Sequence, residues 1–148
     1  MEVWTELCAN KLLMSAVVGW LSAQGIKTVL YSLINKKFSW ERLTGSGGMP
    51  SSHASTVSAL ACASALEYGL SSFQFAVTFI LAAVVMYDAR GVRYETGLQA
   101  TVLNWILSRM EQHPEEKPID QLKEFIGHTP LQVLMGAILG MAVAVLMT

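Results

Sequence analysis

An all-α helical membrane bundle of about four transmembrane spans, with an amphipathic interfacial helix, is the fold class this sequence predicts. Hydrophobic residues make up 53% of the 148 residues and charged residues only 14%, well below the quarter or so usual in soluble domains. Mean hydropathy is +0.43. A helix needs about 20 apolar residues to cross the hydrocarbon core, and four segments approach that length: 9–27, 52–70, 72–87 and 130–147.

The first segment starts without a basic stretch and ends without a small-residue cleavage site, so it reads as a retained membrane helix. The second, from Ser52 to Ala65, is dominated by alanine and serine. Small side chains let helix backbones approach closely within a bilayer, which makes this the expected central helix. The third is short and continues beyond Asp88 as a charged amphipathic stretch over 95–107, a pattern expected of a helix leaving the bilayer. His113-Pro114-Glu115-Glu116-Lys117-Pro118 breaks it. Gly136 and Gly140 give the last segment a small-xxx-small face, which suits either packing within the chain or a homodimer contact.

Length and the absence of a linker-like stretch predict a single domain over 1–148. A formal net charge of −1 disfavours nucleic acid as a partner. Cys8 and Cys62 have no paired spacing, so neither a disulfide framework nor a zinc site is expected. Four alternating spans put the loop 28–51 and the region 88–129 on one face, together with eight of the ten Lys and Arg residues. The positive-inside rule makes that face cytoplasmic, in an integral protein of the cell membrane.

Candidate chemistry gathers on the same face. Gly45 to His53 is a glycine-rich loop entering a helix N-terminus, where backbone N–H groups and the helix dipole favour an anion. Ser51 and Ser52 lie in this cradle; taken alone, the loop reads better as a flexible loop followed by an ordinary serine N-cap, and His53 shifts the balance. His53, in the first turn, is placed to give a proton to a leaving oxygen. Asp88, Arg90 and Arg93 follow the third span. Arginine there binds phosphate through paired hydrogen bonds or merely snorkels to the interface, and a carboxylate near membrane depth needs a partner or a task. His128 precedes the final span on this face. Two histidines with an arginine suit phosphoryl transfer through a phosphohistidine, and Lys27, at the end of the first span, adds charge or snorkels.

Pro50-Ser51-Ser52-His53 resembles the Pro-Ser-Gly-His motif of the type 2 phosphatidic acid phosphatase superfamily, which also contains vanadium-dependent haloperoxidases. His128-Thr129-Pro130 with Gly136 and Gly140 resembles its third motif. Together with Met86 to Arg93, the three ordered motifs look like the divergent branch called acid phosphatase/vanadium-dependent haloperoxidase-related. The likeness extends from Ala23-Gln24 and Lys27 to Gly140. It implies a helical membrane phosphatase without a cofactor, acting on a lipid or polyprenyl phosphate or diphosphate. His128 would attack phosphorus, His53 would protonate the leaving group, and basic residues with backbone amides would hold the oxygens.

The chain departs from the motifs at several positions. Ser52 replaces a glycine, Gln132 stands where the third motif has the aspartate that orients the nucleophile, Leu122 stands where it has an arginine, and no Arg-Pro completes the first motif. Arg93 is the expected replacement phosphate ligand and Asp88 the replacement carboxylate, with Lys27 and Arg42 in place of the first motif. Binding or transport of a phosphorylated lipid without cleavage is the competing expectation. Metal-assisted hydrolysis by Asp88 and Glu95 ranks lower, because no paired-carboxylate or HExxH-like spacing occurs.

Overall fold

The computed structural model describes residues 2–36, 48–110, 122 and 127–148, and among these it is all-helical. A short helix α1, Glu2–Ala9, leads into α2, Lys11–Asn35; then follow α3, Ser52–Tyr68, α4, Phe73–Arg90, α5, Val92–Met110, and α6, Pro130–Met147. Each of α2, α3, α4 and α6 opens on a side-chain cap. Asn10, Ser51, Ser72 and Thr129 accept hydrogen bonds from Leu13, Ala54, Phe75 and Gln132 N–H respectively, satisfying donors that have no partner within the helix.

Among the described residues, three helical runs are long and apolar enough to cross a membrane: Lys11–Asn35, Phe73–Arg109 and Pro130–Met147. The second of these breaks at Gly91, where α4 gives way to α5. Helix α3, with 17 residues, is roughly 26 Å long and packs against α2, α4 and α6. Its serines lower its hydropathy because they face protein rather than lipid. Ser52, Ser55, Ser58 and Ser64 are all buried, and a helix enclosed by others does not have to be apolar all round. It occupies the central place predicted for the second segment. The first span differs from expectation: its helix runs eight residues beyond Lys27, to Asn35.

Packing is inverted relative to a soluble protein. The largest fully buried side chains are His128, Ser15, Ser51, Ser55 and Ser64, while Phe73 (80% exposed), Ile80 and Leu146 point outward. Large apolar side chains on the outside and small ones within are what a lipid solvent selects, since lipid gives no hydrophobic drive for helices to associate. Close approach replaces that drive. A Cβ built on Gly136 would lie 3.0 Å from Ala54 Cβ and nearer still to the Ser51 carbonyl oxygen; one on Gly140 would lie 2.9 Å from Ala59 N and nearer to the Ser55 carbonyl. The small-xxx-small face therefore packs within the chain, against α3. Residues 136 and 140 meet 51 and 55 in the same order, so α3 and α6 run parallel.

On the opposite side of α3, Ser55 Oγ donates to Gly19 O at 2.8 Å. The Lys11–Glu67 ion pair, 3.0 Å, ties the start of α2 to the end of α3, so these two helices run antiparallel. That pair is half exposed and serves register more than stability. Helix α4 closes the bundle through Ala82, Val85 and Met86, packed on Val57 and Ala61.

Gly140→Ala forces a methyl group into the α3 backbone and is expected to cost about 1–3 kcal/mol, read as a lowered melting temperature in detergent. Gly25, whose added Cβ would meet nothing within 4 Å, is the control. Gly25→Ala is expected to be neutral or to stabilise by up to about 1 kcal/mol.

Candidate active site

Because α3 and α6 are parallel and in contact, their N-termini lie side by side, and each carries a histidine. His53 is in the first turn of α3, and His128 immediately precedes the Thr129 cap of α6. The two rings stand edge to face with centroids 5.9 Å apart. Two positive helix-dipole ends converge there, an arrangement that attracts an anion. A backbone bond from Ser51 N–H to Gln132 O, 3.0 Å, staples the two N-termini together.

His128 is 1% exposed and held from several directions. Its backbone N–H donates to Ala89 O of α4 at 3.1 Å, and its Nδ1 lies 3.3 Å from Gln132 Oε1. Gln132 is also the third residue of a capping box: its Oε1 accepts from Thr129 N–H at 3.1 Å, and its own N–H donates to Thr129 Oγ1 at 3.4 Å.

Lys27 is buried, at 4% exposure, and not at a helix end as expected; its Nζ lies 3.5 Å from Ser52 Oγ. Its stem packs on Gly48, where φ is +83° and an added Cβ would lie 3.2 Å from Lys27 Cγ. Glycine suits that position on both counts, by its left-handed backbone and by the room it leaves for the lysine. A buried lysine beside the N-terminus of α3 sits in a poorly hydrated setting, where electrostatic interactions are stronger than in water. Gln24, one turn earlier on α2, is buried too. Two polar side chains at i and i+3 inside a membrane helix are the sequence signal that places this face in the bundle interior.

Other predicted site residues divide. Ser51 is buried; its N–H donates to Gln132 O and its Oγ accepts from Ala54 N–H. Ser52 faces Lys27. Asp88 is half-buried at the end of α4, one residue before the carbonyl that holds His128. Arg93 lies in the first turn of α5, and Arg42 lies outside the described residues. Leu122, at the position of the motif arginine, is 45% exposed, and its backbone is clamped by Asn104 through two 2.9 Å bonds.

An apolar groove of about 320 Å³ lies between α2 and α6. Ile26 and Leu30 of α2, Met49 and Pro50, and Met135 and Ile138 of α6 line it. Ile26 precedes Lys27, and Pro50 precedes Ser51, so the groove and the Lys27–Ser52 contact draw on the same turn of α2 and the same stretch of chain before α3.

The chain is similar to the uncharacterized membrane protein YuiD of Bacillus subtilis (strain 168), with 39% identity over 145 residues that cover 91% of this chain and 92% of that protein. No solved structure matches it. The Divergent PAP2 family model matches residues 8–143, from the start of the bundle through both histidines and both packing glycines, and the chain belongs to that family.

Proposed function

We propose that this membrane protein is a phosphatase for an amphiphilic phosphate, a lipid or polyprenyl phosphate or diphosphate, working through a phosphohistidine. The observation that carries the reading is the pairing of His53 and His128 at two converging helix N-termini, with buried Lys27 beside Ser52. His128 Nε2 attacks phosphorus, an N–P bond forms, the P–O bond to the lipid breaks, and His53 gives its proton to the departing oxygen. Water then attacks the phosphohistidine, His53 takes a proton from that water, the N–P bond breaks and phosphate leaves. Lys27, Ser52 and the first-turn amides of α3 balance the charge on the phosphoryl oxygens, with Arg93 and Arg42 as further cationic ligands and Asp88 as a carboxylate near His128. The groove between α2 and α6 supports an apolar tail on the substrate. The excess of Lys and Arg on the site's face supports a cytoplasmic orientation in the cell membrane.

The deciding experiment is phosphate release by purified protein in detergent from a panel of prenyl and glycerolipid phosphates. His128→Ala is expected to lower turnover at least ~10³-fold with elution profile and melting temperature retained. An acid-labile phosphoryl label should appear on the wild type and not on the variant. Near-normal turnover in a folded His128→Ala protein removes the nucleophile assignment, and tight vanadate binding without turnover on any substrate points to a binding protein.

His53→Ala separates acid from ligand. Protonation matters most for a poor leaving group, so turnover of a lipid phosphate should fall ~10²–10⁴-fold and that of an activated aryl phosphate far less. Equal losses on both count against the acid role.

The groove has its own test in Ile138→Trp, which fills it from α6. KM for a long-chain phosphate should rise about tenfold or more, while a short water-soluble phosphate ester should be turned over as before. Unchanged KM for both places the tail elsewhere.

A further inference from the structure

The hydrogen bonds around Gln132 fix which nitrogen of His128 carries the proton. A backbone N–H only donates, so the atom that Thr129 N–H reaches at 3.1 Å is the amide oxygen of Gln132 and not its NH₂ group. That same oxygen faces His128 Nδ1 at 3.3 Å. An oxygen acceptor requires a donor opposite it, so in the neutral imidazole Nδ1 bears the hydrogen and Nε2 the lone pair. With the NH₂ group turned towards the ring, Nδ1 would become the acceptor and Nε2 would be protonated, which is useless for attack. The capping box excludes that rotation, because it would set the NH₂ against a backbone N–H.

We propose that Gln132 is a positioning residue that locks His128 in its Nδ1–H tautomer, and that the capping box of α6 is the device that sets the lock. The proposal rests on the phosphohistidine reading for its purpose but not for its test. A neutral amide here selects the tautomer as a carboxylate would, yet it supplies no charge to offset an imidazolium. The consequence is a nucleophile that is correctly oriented and weakly activated. Of the two capping-box bonds, the one from Thr129 N–H sets the glutamine oxygen, while the one that Thr129 Oγ1 accepts comes from the Gln132 backbone and not from its side chain.

Nitrogen-15 NMR of histidine-labelled protein in detergent reads the tautomer directly, and the chain has three histidines to assign. At alkaline pH, above the ordinary histidine range, wild-type His128 should show a protonated Nδ1 and a bare Nε2. Gln132→Glu keeps the acceptor and should keep that pattern; Thr129→Ala, which removes only the other half of the cap, should also keep it. Gln132→Leu should lose it, giving a mixture or the Nε2–H form. In turnover, Gln132→Leu should lower kcat about 10–100-fold with KM within about twofold, and Gln132→Glu should raise kcat about tenfold, since a charge-assisted hydrogen bond to imidazolium exceeds a neutral one by roughly that factor. A protonated Nε2 in the wild type overturns the proposal, and so does an unchanged Nδ1–H pattern in Gln132→Leu. The wild-type spectrum decides the tautomer even where Gln132→Leu fails to insert. Absence of turnover in every form, wild type included, bears on the phosphatase reading alone.

Discussion

Direct contact between the backbones of α3 and α6, made where Gly136 and Gly140 meet the Ser51 and Ser55 carbonyls, is the constraint from which the rest of this structure follows. Any side chain at those glycines would hold the helices apart. Their contact in parallel register brings both N-termini to one level, and the first residues at that level include His53 and His128. Two dipole ends and two imidazoles then share a small volume as a by-product of close packing. Fold and site are the same contact seen at successive turns.

Lipid as solvent explains how such a polar interior is maintained. In water, a bundle whose largest fully buried side chains, among the described residues, are serine and histidine would gain little from folding, since burial of apolar area is the main driving term. In a bilayer that term is absent between helices, and packing with interhelical hydrogen bonds takes its place. Ser55 shows the economy of this: its hydroxyl bonds Gly19 O on α2 while its carbonyl lies against Gly140 on α6. Helix α3 can therefore be short and serine-rich and still be the centre of the bundle, because it is solvated by α2, α4 and α6.

Much of this was legible in the sequence, for reasons that also mark its limits. The small residues of 52–65, the last apolar run and the two histidines report on chemistry local to their own segments, and they lie in the central helix, in α6 and at neighbouring helix N-termini. Helix α2 was read as ending near Lys27 because a cation normally marks the interface; here the stem packs on Gly48 and the ammonium reaches Ser52, contacts between distant segments that no window of sequence displays. The glycine pair was ambiguous between a partner chain and α3, because a close-packing face does not announce what packs on it. The sequence puts Ser51 in the phosphate cradle and does not display that its amide also donates to Gln132 O, a contact between distant segments. Leu122 breaks the motif and stays outside the bundle, clamped by Asn104. The absent aspartate at 132 read as a loss, yet the glutamine oxygen stands within reach of Nδ1.

How firmly His128 is set depends on the number of independent elements that hold it. Ala89 of α4 fixes its backbone, Gln132 of α6 faces its Nδ1, and His53 of α3 stands against its ring, while α2 contributes the neighbouring charge of Lys27 through Ser52. No pair of helices contains the whole arrangement. A side chain oriented by three helices keeps one rotamer and one tautomer only while all three are docked, so preorganisation at the site is bought with the packing of the entire bundle. The Gln132 contact sits at the most robust point of that scheme: an N-terminal cap is among the strongest local determinants of a helix start, and α6 cannot begin at Thr129 in this way without turning the glutamine oxygen towards the histidine. Orientation of the imidazole is thus tied to the act of starting the last helix.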